Sequence, residues 1–457
     1  MQRTESIFLR LLGLIYLIAF ASLWPQIVGL VGAEGIAPAT GYFSAIYNQI
    51  GARAYRELPT LFWFHQSDTA LVAFCIVGCL ASAWLISGFF TRWAATACFV
   101  LYLSLTNAGQ PFTAFQWDAL LLEAGFLAIF VGAPWLVWAY RLLLFRLMFE
   151  SGLVKLLSGD PAWRNLHALR YHFLTQPLPL PTAYYAYWLP GRVLDAMTAI
   201  ALAIELVMPW LLFGPRRLRK AAGWSFITLQ LAILLTGNYA FFNLLTLALC
   251  VWAFDDETFQ FRWAERWIRI ERPRPALNVI VAVLMLIGVM ELTGMVLPRW
   301  DTAIRPLTSW IAPFEVVNTY GLFAVMTKDR PEIILEGSDD GVHWREYRFR
   351  YKPGPLNREL PVVAPYQPRL DWQMWFAALG DYQENSWVGG LLYRLLKGDQ
   401  HVTGLMEPPP FSKPPHYLRA QLYLYQFTTP AERARTGNVW QRSFLHTWLG
   451  PVALRQQ

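Results

Sequence analysis

Long apolar runs fill the chain as far as residue 297, and beyond it apolar and polar residues alternate over short stretches. The first run, Ile7 to Trp24, carries Arg3 and Arg10 and no small-residue cleavage site closes it. That pattern predicts a first span or signal anchor in preference to a cleaved signal peptide. Further runs at 69–90, 93–106, 119–140, 195–213, 223–236, 239–254 and 276–297 predict membrane helices. Several fall short of the roughly 20 residues that cross a bilayer, so adjoining uncharged residues must extend them. A run at 142–157 contains Glu150 and Lys155, and its pattern leaves open whether it spans, re-enters or lies against other helices.

After residue 298 the period changes. PEIILEGSDDGVHWREYRFRYKPG reads as strand, Asp-Gly turn and strand, with Ile333 and Leu335 on one face of the first and Tyr347 and Phe349 alternating on the second. Residues 313–327 are expected to add another strand, WQMWFAALG and SWVGGLLYRLLKG to form short amphipathic helices, and HYLRAQLYLYQFTT to return to strand. The expected architecture is a polytopic α-helical membrane protein with a C-terminal non-cytoplasmic α+β domain containing a small β-sheet. The division runs 1–297 and 298–457, with structured loops at 25–68 and 158–192.

Basic residues orient this scheme. Arg216, Arg217, Arg219 and Lys220 form one cluster without an acid, and Arg262, Arg266, Arg269, Arg272 and Arg274 a second; both predict cytoplasmic loops. Between them an apolar hairpin turns at Gly237 and Asn238, so the last span delivers the tail to the opposite side. With the first residues also on the cytoplasmic side, an odd number of crossings follows: nine if 142–157 spans, and seven or five if pairs of short runs are re-entrant. Aromatic residues in the two loops, among them Trp163, Tyr171, Tyr184 and Trp188, suit headgroup depth, and Pro177, Pro179 and Pro181 forbid a continuous helix. Both loops would then roof the helices beside the C-terminal domain.

Composition narrows the function classes. In 457 residues, 55% are hydrophobic and only 15% charged, which excludes disorder and a water-soluble globule. The net charge of +7 sits in short loop clusters, so it points to topology and away from nucleic acid. Cys75, Cys79, Cys98 and Cys250 all fall in apolar runs and read as small hydrophobes, with neither a disulfide nor a metal site expected.

No P-loop, dinucleotide fingerprint, HExxH, CxxC or GxSxG occurs. The remaining candidates for chemistry are charges at membrane depth: Glu123, Glu150, Lys155, Glu205 and Glu291. An ionised group in hydrocarbon costs several kcal/mol unless it is paired or faces the bundle. Lys155 lies five residues from Glu150, beyond the i,i+4 contact, so Glu123 or Glu205 across the bundle is an alternative partner. A structural ion pair is the plainer reading. A lysine held alone in an apolar pocket could instead lose its proton and act as a base. Trp163, Arg164, His167, Arg170 and His172 in the following loop are candidates for client or headgroup contact. The two histidines lack ligand spacing and a third partner, so no metal is expected there. Asp118 is expected to answer free amides in the first turn of its helix. GSDDG at 337–341 is expected to be a hairpin turn, and Asn318, Tyr320, Arg369, Asp371 and Trp372 could line a domain surface.

FQWDALLLEAGFLAIF, RLMFESGLVKLLSGDPAWRNLHALRYHFLTQPLP, NTYGLFAVMTKDRPEIILEGSDDGVHWREYRFRYKPG and PRLDWQMWFAALG together resemble the lipase maturation factor family, a likeness running from about residue 7 to 455. The resemblance implies a membrane-bound maturation or folding factor for exported proteins, with secreted lipases as clients and membrane lipids around it. Animal members sit in the endoplasmic-reticulum membrane with a luminal C-terminal domain. The absence of an N-x-S/T sequon and of a retention tail suggests a bacterial inner-membrane relative with a periplasmic C-terminal domain. The family is also distantly similar to the vitamin K-dependent gamma-carboxylase (HTTM) superfamily. That likeness implies the alternative of a quinone- or lipid-using enzyme with Lys155 as base.

Overall fold

The computed structural model describes residues 2–259 and 274–454. Among the described residues, four helical stretches are long and apolar enough to cross a membrane: Gln2–Leu23, Asp68–Ser87, Gly191–Phe213 and Pro275–Val296. Shorter or more polar helices pack among them. In chain order the principal helices are α1 (Gln2–Leu23), α2 (Asp68–Ser87), α3 (Thr91–Ala108), α4 (Gln116–Ala128), α5 (Leu136–Leu157), α6 (Gly191–Leu206), α7 (Arg216–Leu234), α8 (Phe242–Cys250), α9 (Asn278–Val296) and α10 (Pro298–Ile311). The apolar run expected at 119–140 is two helices, because Gly132 takes φ +90° and Pro134 follows it between α4 and α5.

Contacts at helix ends sort the bundle into two poles. At one, the Thr4 amide donates to Asp256 (3.0 Å), Arg216 pairs with Asp255 (2.8 Å) and Glu257 (2.5 Å), and the Arg274 amide donates to the Gly132 carbonyl (2.9 Å). The basic cluster at the start of α7 is thus answered by acids from the 255–257 turn. Of the second basic cluster, Arg262, Arg266, Arg269 and Arg272 lie outside the described residues. At the other pole Gln26 Nε2 donates to the Gln367 carbonyl (2.8 Å), and Asn238 at the hairpin turn donates to the Pro361 carbonyl (2.9 Å). Here the loops 25–68 and 158–192 meet the C-terminal region. The run at 142–157 is the greater part of α5, which starts beside Asn278 at the basic pole and ends against the C-terminal segment.

Exposed aromatic residues lie towards both poles: Phe90, Trp93, Trp135 and Trp138 at the basic one, Trp24 and Trp188 at the other. That is the girdle a bilayer imposes at its two interfaces. The protein is a multi-pass membrane protein with a C-terminal α+β region.

The sheet has four antiparallel strands in the order β2-β1-β3-β4, with β1 Arg330–Ser338, β2 Arg345–Tyr347, β3 Tyr417–Phe427 and β4 Trp440–Val452. β1 and β2 form the expected hairpin, Leu335 facing Tyr347. Its turn is closed by Asp340, which meets the His343 imidazole (2.7 Å) and accepts from the amides of His343 and Val342 at 2.8 Å; these bonds, the imidazole's first, hold the carboxyl below the ordinary carboxylate range. The short helices are α11 (Arg369–Ala377) and α12 (Trp387–Lys397). β4 forms from a stretch with little apolar alternation, and residues 313–327, expected as a strand, form none: the amides of Asn318 and Tyr320 bond to carboxylates of the bundle.

Candidate functional site

Three intramembrane charges, Glu123, Arg146 and Glu150, converge on the C-terminal segment from Glu315 to Met326. Arg146, about three turns inside α5 and not among the expected candidates, occupies the centre. Its Nη1 donates to Glu123 on α4 (2.8 Å), its Nε to Glu150 one turn on (3.2 Å), and its Nη2 to the Asn318 carbonyl. Gly288 on α9 makes room for it, since a Cβ there would lie 2.8 Å from Nη1. One guanidinium faces two carboxylates, and the inserted segment supplies the missing donors. Glu123 Oε2 accepts from the Tyr320 hydroxyl (2.7 Å) and the Asn318 amide (2.8 Å), while Glu150 Oε2 accepts from the Tyr320 amide (2.7 Å). Gln116 takes the Gly321 amide at 3.0 Å. Glu150, Arg146 and Glu123 are 0%, 2% and 3% exposed. Amides that a strand would have spent on a neighbouring strand are spent on carboxylates instead.

Lys155 takes the Glu205 alternative. Nζ donates to both carboxylate oxygens, at 2.5 and 2.6 Å, and lies 5.0 Å from the centre of the Trp163 ring. Gly152 permits this, because a Cβ there would meet Glu205 Cβ at 2.9 Å. Trp163 is buried and its indole donates to the Phe323 carbonyl (2.9 Å); nearby Asp160 accepts from the Met326 amide (2.6 Å). The loop 158–192 and the inserted segment are therefore held by the same residues.

The other loop candidates separate. Arg164 is exposed, while Arg170 pairs with Asp195 (2.5 Å) at the start of α6. His167 precedes the short helix Ala168–Thr175 with its amide bonded to Ala162. His172 lies 3.2 Å from the Tyr239 hydroxyl and edge-on to Phe323; burial, then nearby Lys155, pushes its pKa down to about 4, so it is neutral near pH 7. No group of three or more His, Cys, Asp or Glu able to hold a metal ion occurs among the described residues.

A second buried pair ties the C-terminal region to the bundle. Asp118 does not answer free amides at its helix start. It accepts a bidentate pair of bonds from Arg369 at 2.8 and 2.9 Å and a third from the Tyr102 hydroxyl. Arg369 also reaches the Phe112 carbonyl (2.7 Å). Trp117 donates to Gln367 (2.7 Å) and stacks edge-on with Trp372 (4.8 Å). Asp371 turns to its own region, accepting from the amides of Tyr351 and Lys352 at 2.8 Å. On the sheet, Arg330 and Lys352 flank Glu332 at 2.8 Å each, and Arg330 also binds the carbonyls of Leu174 and Pro177 in the loop. The clusters around Arg146, Arg369 and Arg330 are each met by backbone groups of another segment, so together they act as sockets.

Comparison with known proteins agrees with the architecture. The family model described as Lipase maturation factor transmembrane domain matches residues 3–261, and that described as Lipase maturation factor C-terminal domain matches residues 316–450. Lipase maturation factor 2 of Homo sapiens is 34% identical, over 98% of this chain and 82% of its own length. The same-named protein of Gallus gallus is 34% identical over 99% and 82%. Lipase maturation factor 1 of Bos taurus is 32% identical over 98% and 89%. No solved structure matches the chain.

Proposed function

The chain belongs to the lipase maturation factor family, and from that premise we propose that it is a membrane-bound factor that assists exported proteins, lipases among them, to reach their folded state. The observation that carries this reading is the likeness to proteins named lipase maturation factors over nearly the whole chain. The arrangement of one pole supports it. There two structured loops and the sheet are locked to the bundle, and exposed Tyr47, Ile50, Tyr55 and Phe64 of the first loop and Phe444 and Leu445 of β4 offer apolar surface. A client whose own core has not closed would shield its apolar side chains against such a surface, at roughly 25 cal/mol per Å² buried, and leave as that core forms.

In this reading the pole lies on the non-cytoplasmic side, because the α7 basic cluster marks the other pole as cytoplasmic. It would face the periplasm in a bacterial cell and the lumen of the endoplasmic reticulum in a eukaryotic one. Glu123, Glu150, Lys155 and Glu205 are then structural. The enzyme alternative needs Lys155 free to take a proton, and its ammonium instead donates to both oxygens of Glu205.

The test is refolding. Purified protein in lipid nanodiscs, added to a chemically unfolded secreted dimeric lipase without nucleotide, is expected to raise the yield of active lipase in proportion to the amount added. A yield no higher than with empty nanodiscs would refute the proposal.

A further inference from the structure

We infer that helix α10 lies along the membrane surface at the pole that carries the sheet, with one face set into the headgroup region of the bilayer. α9 ends at Val296, and Leu297 takes an extended conformation (φ −121°, ψ 90°) before Pro298 opens α10, so the chain leaves the axis of α9 there. Along α10 the apolar residues Trp300, Ala303, Leu307 and Trp310 recur every three or four positions and share a face. Trp300, Leu307 and Trp310 are 45%, 44% and 56% exposed. Ile304, one step round the helix, is buried and holds that edge to the protein, while exposed Thr302 and Ser309 occupy the opposite side.

The occupant of the apolar face follows from what it continues. α9 presents a row of exposed apolar side chains, Val279, Ile280, Val283, Leu286, Val289 and Val296. Such a row on a spanning helix faces lipid. Exposed Leu297 and Trp300 extend the same surface across the bend into α10. Tryptophan is the residue that favours headgroup depth, and a helix with one apolar and one polar face settles in the plane of that zone. Exposed Tyr185 and Trp188 of the loop 158–192 lie at the same pole. The bilayer, not a second protein, therefore covers the stripe. Anchored in this way, α10 fixes the depth at which the segment from Glu315 enters its socket.

Site-directed spin labelling tests this on the full chain in nanodiscs of phosphatidylcholine and phosphatidylglycerol. Leu307→Cys and Ser309→Cys are labelled separately with a nitroxide, and the unsubstituted protein, treated alike, gives the background from its own cysteines. Collision with oxygen, relative to collision with a water-soluble nickel chelate, is expected to be several-fold higher at position 307 than at 309. Equal access of the nickel chelate to both positions would show α10 standing in water. Exclusion of the chelate from both would show it buried in the hydrocarbon or against protein. Either result overturns the inference.

Discussion

Arg146→Met is expected to cost about 3–5 kcal/mol, as much as removing the cation from a buried ionic cluster usually does. The methionine nearly matches the arginine stem, so little packing is lost. What remains is a pair of carboxylates, Glu123 and Glu150, both enclosed and sharing only the donors of Asn318 and Tyr320. Like charges at such range in a medium of low dielectric cannot both stay ionised at modest cost. Because the same carboxylates hold the segment from Glu315 to Met326, the damage should reach the C-terminal region as well as the bundle. The check is the fraction of monodisperse protein recovered in detergent together with its thermal unfolding. Arg146→Lys should recover part of the loss, since it restores charge without the planar fork that reaches Glu123, Glu150 and the Asn318 carbonyl. Arg146→Met unfolding at the parent's temperature would show that the cluster bears no structural weight.

Arg369→Met should be nearly as costly, about 3–5 kcal/mol, yet more local in effect. It strips Asp118 of a bidentate partner and leaves the carboxylate with the Tyr102 hydroxyl, fully buried between α3 and α4. Hydrogen exchange is expected to quicken in residues 100–118 and 366–377, where the C-terminal region docks on the bundle, before it quickens in the sheet. Adding Asp118→Leu should restore most of the stability, because an apolar pair of similar size has no charge to bury. Failure of the second substitution to help would mean that docking depends on the ionic bond itself.

Much of this fold is legible along the chain. Apolar runs mark the spans, and alternation in PEIILEG and HYLRAQLYLYQF marks β1 and β3. Asp-Gly marks the turn between β1 and β2. Three features are not legible in the same way, for physical reasons. The segment 313–327 has the β-branched and aromatic content of a strand, but strand propensity describes a side chain's fit to a half-buried surface and says nothing of which acceptors its amides meet. Lys155 and Glu205 are 50 residues apart, so only the packing of α5 on α6 at Gly152 selects that pair from the alternatives. β4 alternates poorly because it is exposed along most of its length. Arg146 is different: its i,i+4 spacing to Glu150 within an apolar helix is a readable signal of a buried pair.

Asp118 carries the same lesson in reverse. Its position three residues into a helix is correct for an acid that complements the free amides. Tertiary context overrides that use, because Arg369, distant in sequence, offers two charge-assisted bonds where an amide offers one.

The central claim is that the buried charges are fastenings and that no proton is transferred at Lys155. It is tested most directly by Lys155→Met combined with Glu205→Met, assayed for recovery of active lipase in the nanodisc refolding reaction. The double variant keeps the volume of the pair and abolishes any base, so the account predicts that it folds and supports lipase recovery close to the parent's level. A double variant that folds with the parent's stability but supports no recovery would contradict it.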